Sequence, residues 1–171
     1  MKKLNLILNS TLIYLFLFSF YNSNATDKIN GLAKVIDGDT IKIENLSIRF
    51  GGIDAPESFY KGKAQICFDK ISKEKIFCGE LSKQFLKKKI QNKKLSCIPE
   101  KKLDQYNRVV AECFIKDKSL SAYMVRSGYA FDYKKYSKGK YKNEQEQAKK
   151  ENIGLWKTNF DYPWIWRKNN K

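Results

Sequence analysis

Leu32-Ala33-Lys34-Val35-Ile36-Asp37-Gly38-Asp39-Thr40-Ile41-Lys42-Ile43-Glu44 holds two short alternating runs on either side of Asp37-Gly38-Asp39. Alternation is the period of a half-buried strand, and Asp-Gly between two such runs is a hairpin signal. A third run, Leu46-Ser47-Ile48-Arg49-Phe50, puts Leu46, Ile48 and Phe50 on one face and Arg49 on the other, and Gly51-Gly52 ends it. Residues 56–76, opening at Pro56 and rich in Lys, Ser and Gly, read as a loop. A helix follows from about Gly79 to Lys89, with Leu81, Phe85 and Leu86 as its apolar stripe. Two β-like runs come next, Leu95–Ile98 and Val109–Phe114, joined by the turn-rich Asp104-Gln105-Tyr106-Asn107. A short helix opens at Ser119-Leu120, runs through Val125 and closes at Gly128, and a third, highly charged helix runs from about Asn143 to Asn152.

The order βββ–α–ββ–α–α implies a mainly β, α+β fold. Five short strands form a small closed or nearly closed barrel of OB type with helices against it. The chain has 171 residues, enough for one modest core. At 42% hydrophobic and 14% aromatic it is too apolar for a disordered basic tail. Its net charge is +16, and setting aside Lys2 and Lys3, the only charges in the first 25 residues, leaves +14. There is no histidine, so imidazole serves neither as base nor as metal ligand. Chemistry must run on carboxylates, Arg, Lys, Tyr or a bound hard metal ion. Thirty of the basic residues are Lys and four are Arg (Arg49, Arg108, Arg126, Arg167), so the arginines carry more positional information than the lysines.

Met1-Lys2-Lys3, the apolar run Leu12–Phe18 and the small residues of Ser23-Asn24-Ala25 have the layout of a secretory signal peptide over residues 1–25. The rival is a membrane anchor, but Asn5, Asn9, Ser10 and Thr11 interrupt the run well short of the ~20 apolar residues needed to span. Export to the periplasm or the medium, with no stable membrane insertion after cleavage, is expected. Four cysteines follow, and in an oxidising compartment an even number reads as two disulfides with three possible connectivities. Pairing of neighbours is favoured. A hairpin centred near Gln105 sets Cys97 opposite Cys113, and Cys67 with Cys78 then closes a Lys-rich insertion. No C-x-x-C pair is present for a zinc site.

Taken singly, the polar features have bland explanations. Asp37-Gly38-Asp39 is a turn, Asp54-Ala55-Pro56-Glu57 an exposed loop, and Arg49 and Arg108 solvated charges. Together they resemble one family. Val35–Thr40, Arg49–Glu57 and Asp104–Arg108, followed by Leu120–Ala130, Gln147–Glu151 and Gly154-Leu155-Trp156, match in order and spacing the staphylococcal-nuclease (thermonuclease) family over nearly all of the chain after residue 25.

The resemblance implies a five-stranded OB-fold barrel with three helices that hydrolyses DNA and RNA with Ca²⁺, Mg²⁺ remaining open, and leaves 3′-phosphate ends. Asp39 and Asp54 would hold the ion through carboxylates and Ala55 through its carbonyl. Glu57 would act on the attacking water, and Arg49 and Arg108 would grip the scissile phosphate. These residue types suit the task. A hard cation wants oxygen ligands, and a planar guanidinium meets the charge on a phosphorane's equatorial oxygens with two donors where Lys offers a point charge. Two departures stand out. Ala55 replaces a frequent Thr, which matters little if the carbonyl is the ligand, and Asn107 replaces a usual Gly but tolerates left-handed backbone.

Tyr106, Tyr133 and Tyr136 are candidates for stacking on bases beside the site, with barrel-edge packing as the plainer reading. The nuclease domain is assigned to residues 26–157. Residues 158–171, with Trp164, Trp166, Phe160 and Pro163, are an aromatic and basic tail expected to fold back onto it. The cationic surface suits DNA and RNA as substrates of a monomer. Two rivals remain: an inactive OB-fold module binding nucleic acid or protein, and a cationic protein aimed at anionic lipids or glycans. All five charged motif positions are occupied, which favours the enzyme.

Overall fold

The computed structural model describes residues 27–171, so the signal-peptide reading of residues 1–25 lies outside the described residues. Strands β1 (Ile29–Asp37), β2 (Thr40–Ile43) and β3 (Leu46–Phe50) form an antiparallel meander with Val35 opposite Ile41 and Ile41 opposite Ile48. Three short strands follow along the chain, β4 (Ile53–Asp54), β5 (Ile66–Asp69) and β6 (Lys75–Phe77), before helix α1 (Cys78–Ile90) and then the long β7 (Lys94–Leu103) and β8 (Val109–Ile115). The barrel closes where β3 runs parallel to β8, β8 pairs with β7, and β7 returns to β1. Five strands therefore form the closed OB-type barrel. Its interior is apolar, with Ile41, Ile48, Phe50, Ala111 and Leu120 fully buried.

Cys97 and Cys113 are direct cross-strand partners and form one disulfide, with Cα atoms 4.0 Å apart; Cys67 and Cys78 form the other, at 5.8 Å. Helix α1 lays Ser82, Leu86 and Ile90 against the barrel. Leu81, expected on its apolar stripe, is instead 40% exposed, because the row 78–82–86–90 faces inward and 81 lies off it. The short strand β9 (Lys118–Ser119) leads into α2 (Leu120–Arg126), whose first turn is capped by the Ser119 hydroxyl accepting from the Ala122 N–H at 3.0 Å.

After β10 (Phe131–Asp132) come a single turn, α3 (Lys134–Ser137), the charged helix α4 (Lys142–Lys150) and a 3₁₀ turn over Gly154–Lys157. The chain ends with β11 (Thr158–Asn159) and α5 (Pro163–Asn169). Three helices follow from the family resemblance; α1, α2 and α4 are those three, and α3 and α5 are additional. The segment 56–76 is also not all loop. Its β5 and β6 pair as a hairpin, and β11 adds to β5 with Thr158 opposite Asp69. The strand character was hidden because the stretch is only four residues of alternation among lysines, and its second partner lies ninety positions downstream.

A second apolar cluster sits outside the barrel. The Cys67–Cys78 disulfide, Phe131, Ala148, Leu155 and Trp156 are buried there, with Phe160, Tyr162 and Trp164 packed against them. Phe131 is its hub, stacked on Phe160 at 4.7 Å and met edge-on by Tyr162 at 5.1 Å and Trp156 at 5.5 Å. Phe131 also pairs with Asp54 across β10 and β4, so this cluster reaches the barrel rim.

Candidate functional site

Three pieces of chain meet at that rim. The β1–β2 turn carries Asp39, β3 carries Arg49 with its side chain turned out of the barrel, and β4 carries Asp54. Thr40 is the cross-strand partner of Arg49, which sets the guanidinium beside Asp39. Close approach at two glycines makes this possible. A Cβ at Gly38 would lie 2.1 Å from the Ser82 Oγ and 2.8 Å from the Ala55 Cβ. One at Gly79 would lie 2.0 Å from the Glu57 carbonyl, so the start of α1 rests directly on the Glu57 backbone.

Hydrogen bonds join all five charged positions. Arg49 donates through Nη1 to Asp39 Oδ2 at 2.6 Å and through Nη2 to Asp54 Oδ1 at 2.8 Å. Asp39 Oδ2 also accepts from the Ala55 N–H at 3.1 Å, and its Oδ1 accepts from the Thr40 hydroxyl at 2.8 Å. The Thr40 oxygen in turn accepts from Arg108 Nη1 at 3.2 Å. Arg108 is held by Asp104, whose Oδ2 takes Nε at 2.8 Å while Oδ1 takes the Arg108 N–H at 2.9 Å. Asn107, just before it, adopts φ 58°, the left-handed backbone that the turn requires.

Glu57 enters through a residue that sequence reasoning left unassigned. Arg167 of α5 donates through Nη1 to Glu57 Oε1 and, at 3.1 Å, to Asp54 Oδ1, and through Nη2 to Asp54 Oδ2 at 2.6 Å. The scarcity of arginine was the only signal for it: three of the four now lie in one network, and the fourth, Arg126, pairs with Glu151 elsewhere.

Asp39 and Asp54 are almost wholly buried, at 4% and 0% exposure. Burial works against the Asp39 anion, but Arg49, the Ala55 N–H and the Thr40 hydroxyl outweigh it and hold this carboxyl below the usual range. At Asp54 burial dominates and pushes the carboxyl up, against the pull of Arg167. Glu57 is pushed up as well, by burial and then by Asp39, with Arg167 opposing. Asp37 lies beside them, accepting from the Gly38 N–H at 2.9 Å and the Ser58 N–H at 3.3 Å. Burial, with the charges of Asp39 and Glu57, raises it to about 7.

Among the described residues no group of three or more ligating side chains closes on one point. The donors at hand are two carboxylates sharing one guanidinium, with the Ala55 backbone tied to the first. These are hard oxygen donors without thiolate or imidazole, a set that fits Ca²⁺ or Mg²⁺ and leaves positions for water and phosphate.

Of the three tyrosines, Tyr106 is 62% exposed with its ring 5.2 Å from the Arg108 guanidinium carbon, beside the site. Tyr136 is 65% exposed. Tyr133 has one face covered by Trp164, stacked at 4.8 Å, so only part of that ring is open.

Residues 47–158 match the model of the family described as staphylococcal nuclease homologue, a span that holds Arg49, Asp54, Glu57 and Arg108 but begins after Asp39 and ends before Arg167. The chain is 31% identical over 138 residues to the succinoglycan biosynthesis protein ExoI of Rhizobium meliloti, covering 80% of this chain and 69% of that one. It is 30% identical over 147 residues to an uncharacterized endonuclease of Haemophilus influenzae, covering 82% and 73%. It is 28% identical over 138 residues to the staphylococcal-like nuclease CAN1 of Arabidopsis thaliana, covering 78% of this chain and 36% of that protein. With a closed five-stranded barrel, acidic and arginine residues gathered at its rim, and a family match over most of its length, the chain belongs to the staphylococcal nuclease family.

Proposed function

We propose that this nuclease is an exported monomer that hydrolyses the phosphodiester bonds of both DNA and RNA with a divalent cation, Ca²⁺ in the first instance, and leaves the phosphate on the 3′ side. The observation that carries the reading is the single hydrogen-bonded network joining Asp39, Asp54, Glu57, Arg49 and Arg108. The Asp39 and Asp54 carboxylates of this network, with the adjacent Ala55 carbonyl, would hold the ion. When bound, the ion polarises the phosphate and favours deprotonation of water.

The remaining steps belong to the chain's own groups. Glu57 orients the attacking water and receives its proton, a role that a carboxylate beside the ion is best placed to fill in a sequence without histidine. Arg49 and Arg108 offset the negative charge that builds on the non-bridging oxygens; Arg108 is held ready by Asp104, and Arg49 stands between Asp39 and Asp54 where the phosphate would meet the ion. Tyr106 and Tyr136 offer exposed rings for bases next to the site, and Tyr133 contributes from beneath Trp164. The lysine-rich surface attracts any polynucleotide without regard to sequence.

Residues 1–25 serve as the export signal, residues 26–157 as the nuclease domain and 158–171 as a tail docked on it. Two disulfides suit an oxidising destination, periplasmic or extracellular. Among the described residues no helix is long and apolar enough to cross a membrane.

The test is incubation of the purified protein with single- and double-stranded DNA and RNA in Ca²⁺, Mg²⁺ or chelator, with the product ends identified. Cleavage of all substrates in Ca²⁺, lost with chelator, is expected. Full activity in chelator, or cleavage confined to one sugar type, refutes the reading.

A further inference from the structure

Arg167 lies 113 positions from Asp54 along the chain, yet its guanidinium engages both oxygens of that carboxylate and one oxygen of Glu57. Arg49 donates a third bond to Asp54, through Nη2 to Oδ1 at 2.8 Å. The Asp54 side chain is fully buried, so water cannot substitute for these donors, and guanidinium groups supply its charge compensation.

Arg167 is not on a loose end. Trp166, on the same helix, is 9% exposed and meets Tyr60 edge-on. Trp164 stacks between Tyr162 at 4.6 Å and Tyr133 at 4.8 Å. The buried Gln65 side chain donates to the Asp161 carbonyl at 2.7 Å. The β5–β6 hairpin, closed by Cys67–Cys78, pairs with β11 immediately upstream. A long-range sheet, two tryptophans and a buried amide thus place one guanidinium on two acidic groups of the nuclease site.

We infer that Arg167 is a resident counter-cation of this site. It neutralises Asp54 and Glu57 in the ion-free chain and competes with the divalent ion for the Asp54 oxygens, so that ion loading and the seat of Arg167 on Asp54 exclude one another. The inference rests on the reading of Asp54 as a donor to the ion. Its physical basis is simple. Close carboxylates repel, and one guanidinium with three charge-assisted bonds to the pair relieves that repulsion as an ion would. A divalent cation must then break those bonds before it can use the same oxygens. The Cys67–Cys78 segment and the C-terminal helix thereby set the ion affinity of a site to which they contribute no ion donor.

Calcium titration calorimetry and thermal melts, on the purified wild-type protein and on Arg167→Gln and Arg167→Lys, decide the matter without an activity readout. Arg167→Gln should bind Ca²⁺ about tenfold more tightly than wild type, the equivalent of losing one charge-assisted hydrogen bond from the competing state. It should also melt lower than wild type without the ion and gain more from Ca²⁺. Arg167→Lys, which keeps the charge but loses the paired geometry, should fall between them, and it carries the test if the glutamine variant does not fold. Equal or weaker Ca²⁺ binding in the variants, with wild type binding the ion, overturns the competition and leaves the ion site standing. No Ca²⁺ binding by any of the proteins overturns the ion site and this inference together.

Discussion

Replacing Gln65 by methionine removes two side-chain hydrogen bonds while nearly preserving volume and the unbranched shape. Gln65 is wholly buried. Its Nε2 donates to the Asp161 carbonyl at 2.7 Å and its Oε1 accepts from the Glu57 N–H at 3.2 Å, while its backbone bonds to Glu57 and Cys78 remain in the variant. Leaving a buried polar group without a partner costs about 1–3 kcal/mol. Asp161 is exposed, so its carbonyl regains water and falls at the low end, whereas the Glu57 N–H donates to the wholly buried Gln65 amide, where α1 rests on the Glu57 backbone. Less a partial offset from the apolar thioether, the net loss is about 2–3 kcal/mol, or roughly 4–10 °C in melting temperature for a domain of this size. Urea melts followed by tryptophan emission measure it. Because Gln65 ties the Glu57 loop to the C-terminal segment, nuclease turnover should also fall at temperatures where the variant is fully folded. A variant within about 0.5 kcal/mol of wild type, with unchanged turnover, refutes the view that this amide holds the two segments in place.

Arg108→Lys removes the two-point grip on Asp104 and the link to Thr40; turnover should drop about 10²–10³-fold with the fold intact by circular dichroism, and near-normal turnover counts against the proposed role. Phe131→Ala, at the hub of the outer aromatic cluster, should cost about 3–5 kcal/mol in urea melts, far more than an exposed aromatic such as Phe59. Tyr141 is 2% exposed and its hydroxyl donates to Glu112 at 2.6 Å; burial, then that bond, pushes its pKa from 10.0 up to about 12. The unfolded phenol ionises first, so wild-type stability relative to Tyr141→Phe should be constant below pH 10 and decline as pH rises from 10 towards 12. A stability difference that stays flat through pH 12 rules out that assignment.

The barrel was legible because its strands announce themselves locally. Ile41, Ile43, Ile48 and Phe50 alternate with polar residues, and Asp-Gly marks the first reversal. The pairing of Cys97 with Cys113 followed from symmetry about Gln105 alone. What escaped was whatever depends on distant partners. The β5 strand is short and half apolar, and only β6 and β11 make it a strand. Leu81 was placed inward by hydrophobicity, whereas the contact row of α1 is chosen by what the barrel presents to it. Arg167 looked like one more basic residue beside Lys168, because the seven-residue helix carrying it contains no motif and the contacts that aim it come from Tyr60, Gln65 and Tyr133.

The placement of arginine against lysine in this chain follows from the same distinction between local and distant determinants. Lysine supplies a charge that need not be aimed, and a field that attracts a polyanion tolerates any arrangement of such charges on the surface. Every salt bridge to Asp39, Asp54 or Glu57 among the described residues instead comes from arginine. Buried carboxylates need donors of fixed spacing that stay charged despite partial desolvation; burial alone loosens the Arg49 and Arg167 protons, but the neighbouring carboxylates outweigh it and hold them more firmly than usual. A lysine at either position would pay desolvation for a single point contact and leave an acidic oxygen without a donor. In a sequence that otherwise spends lysine freely, arginine is therefore expected only where two oxygens must be met at once, and Arg167, which meets three, fits that rule as closely as Arg49 does.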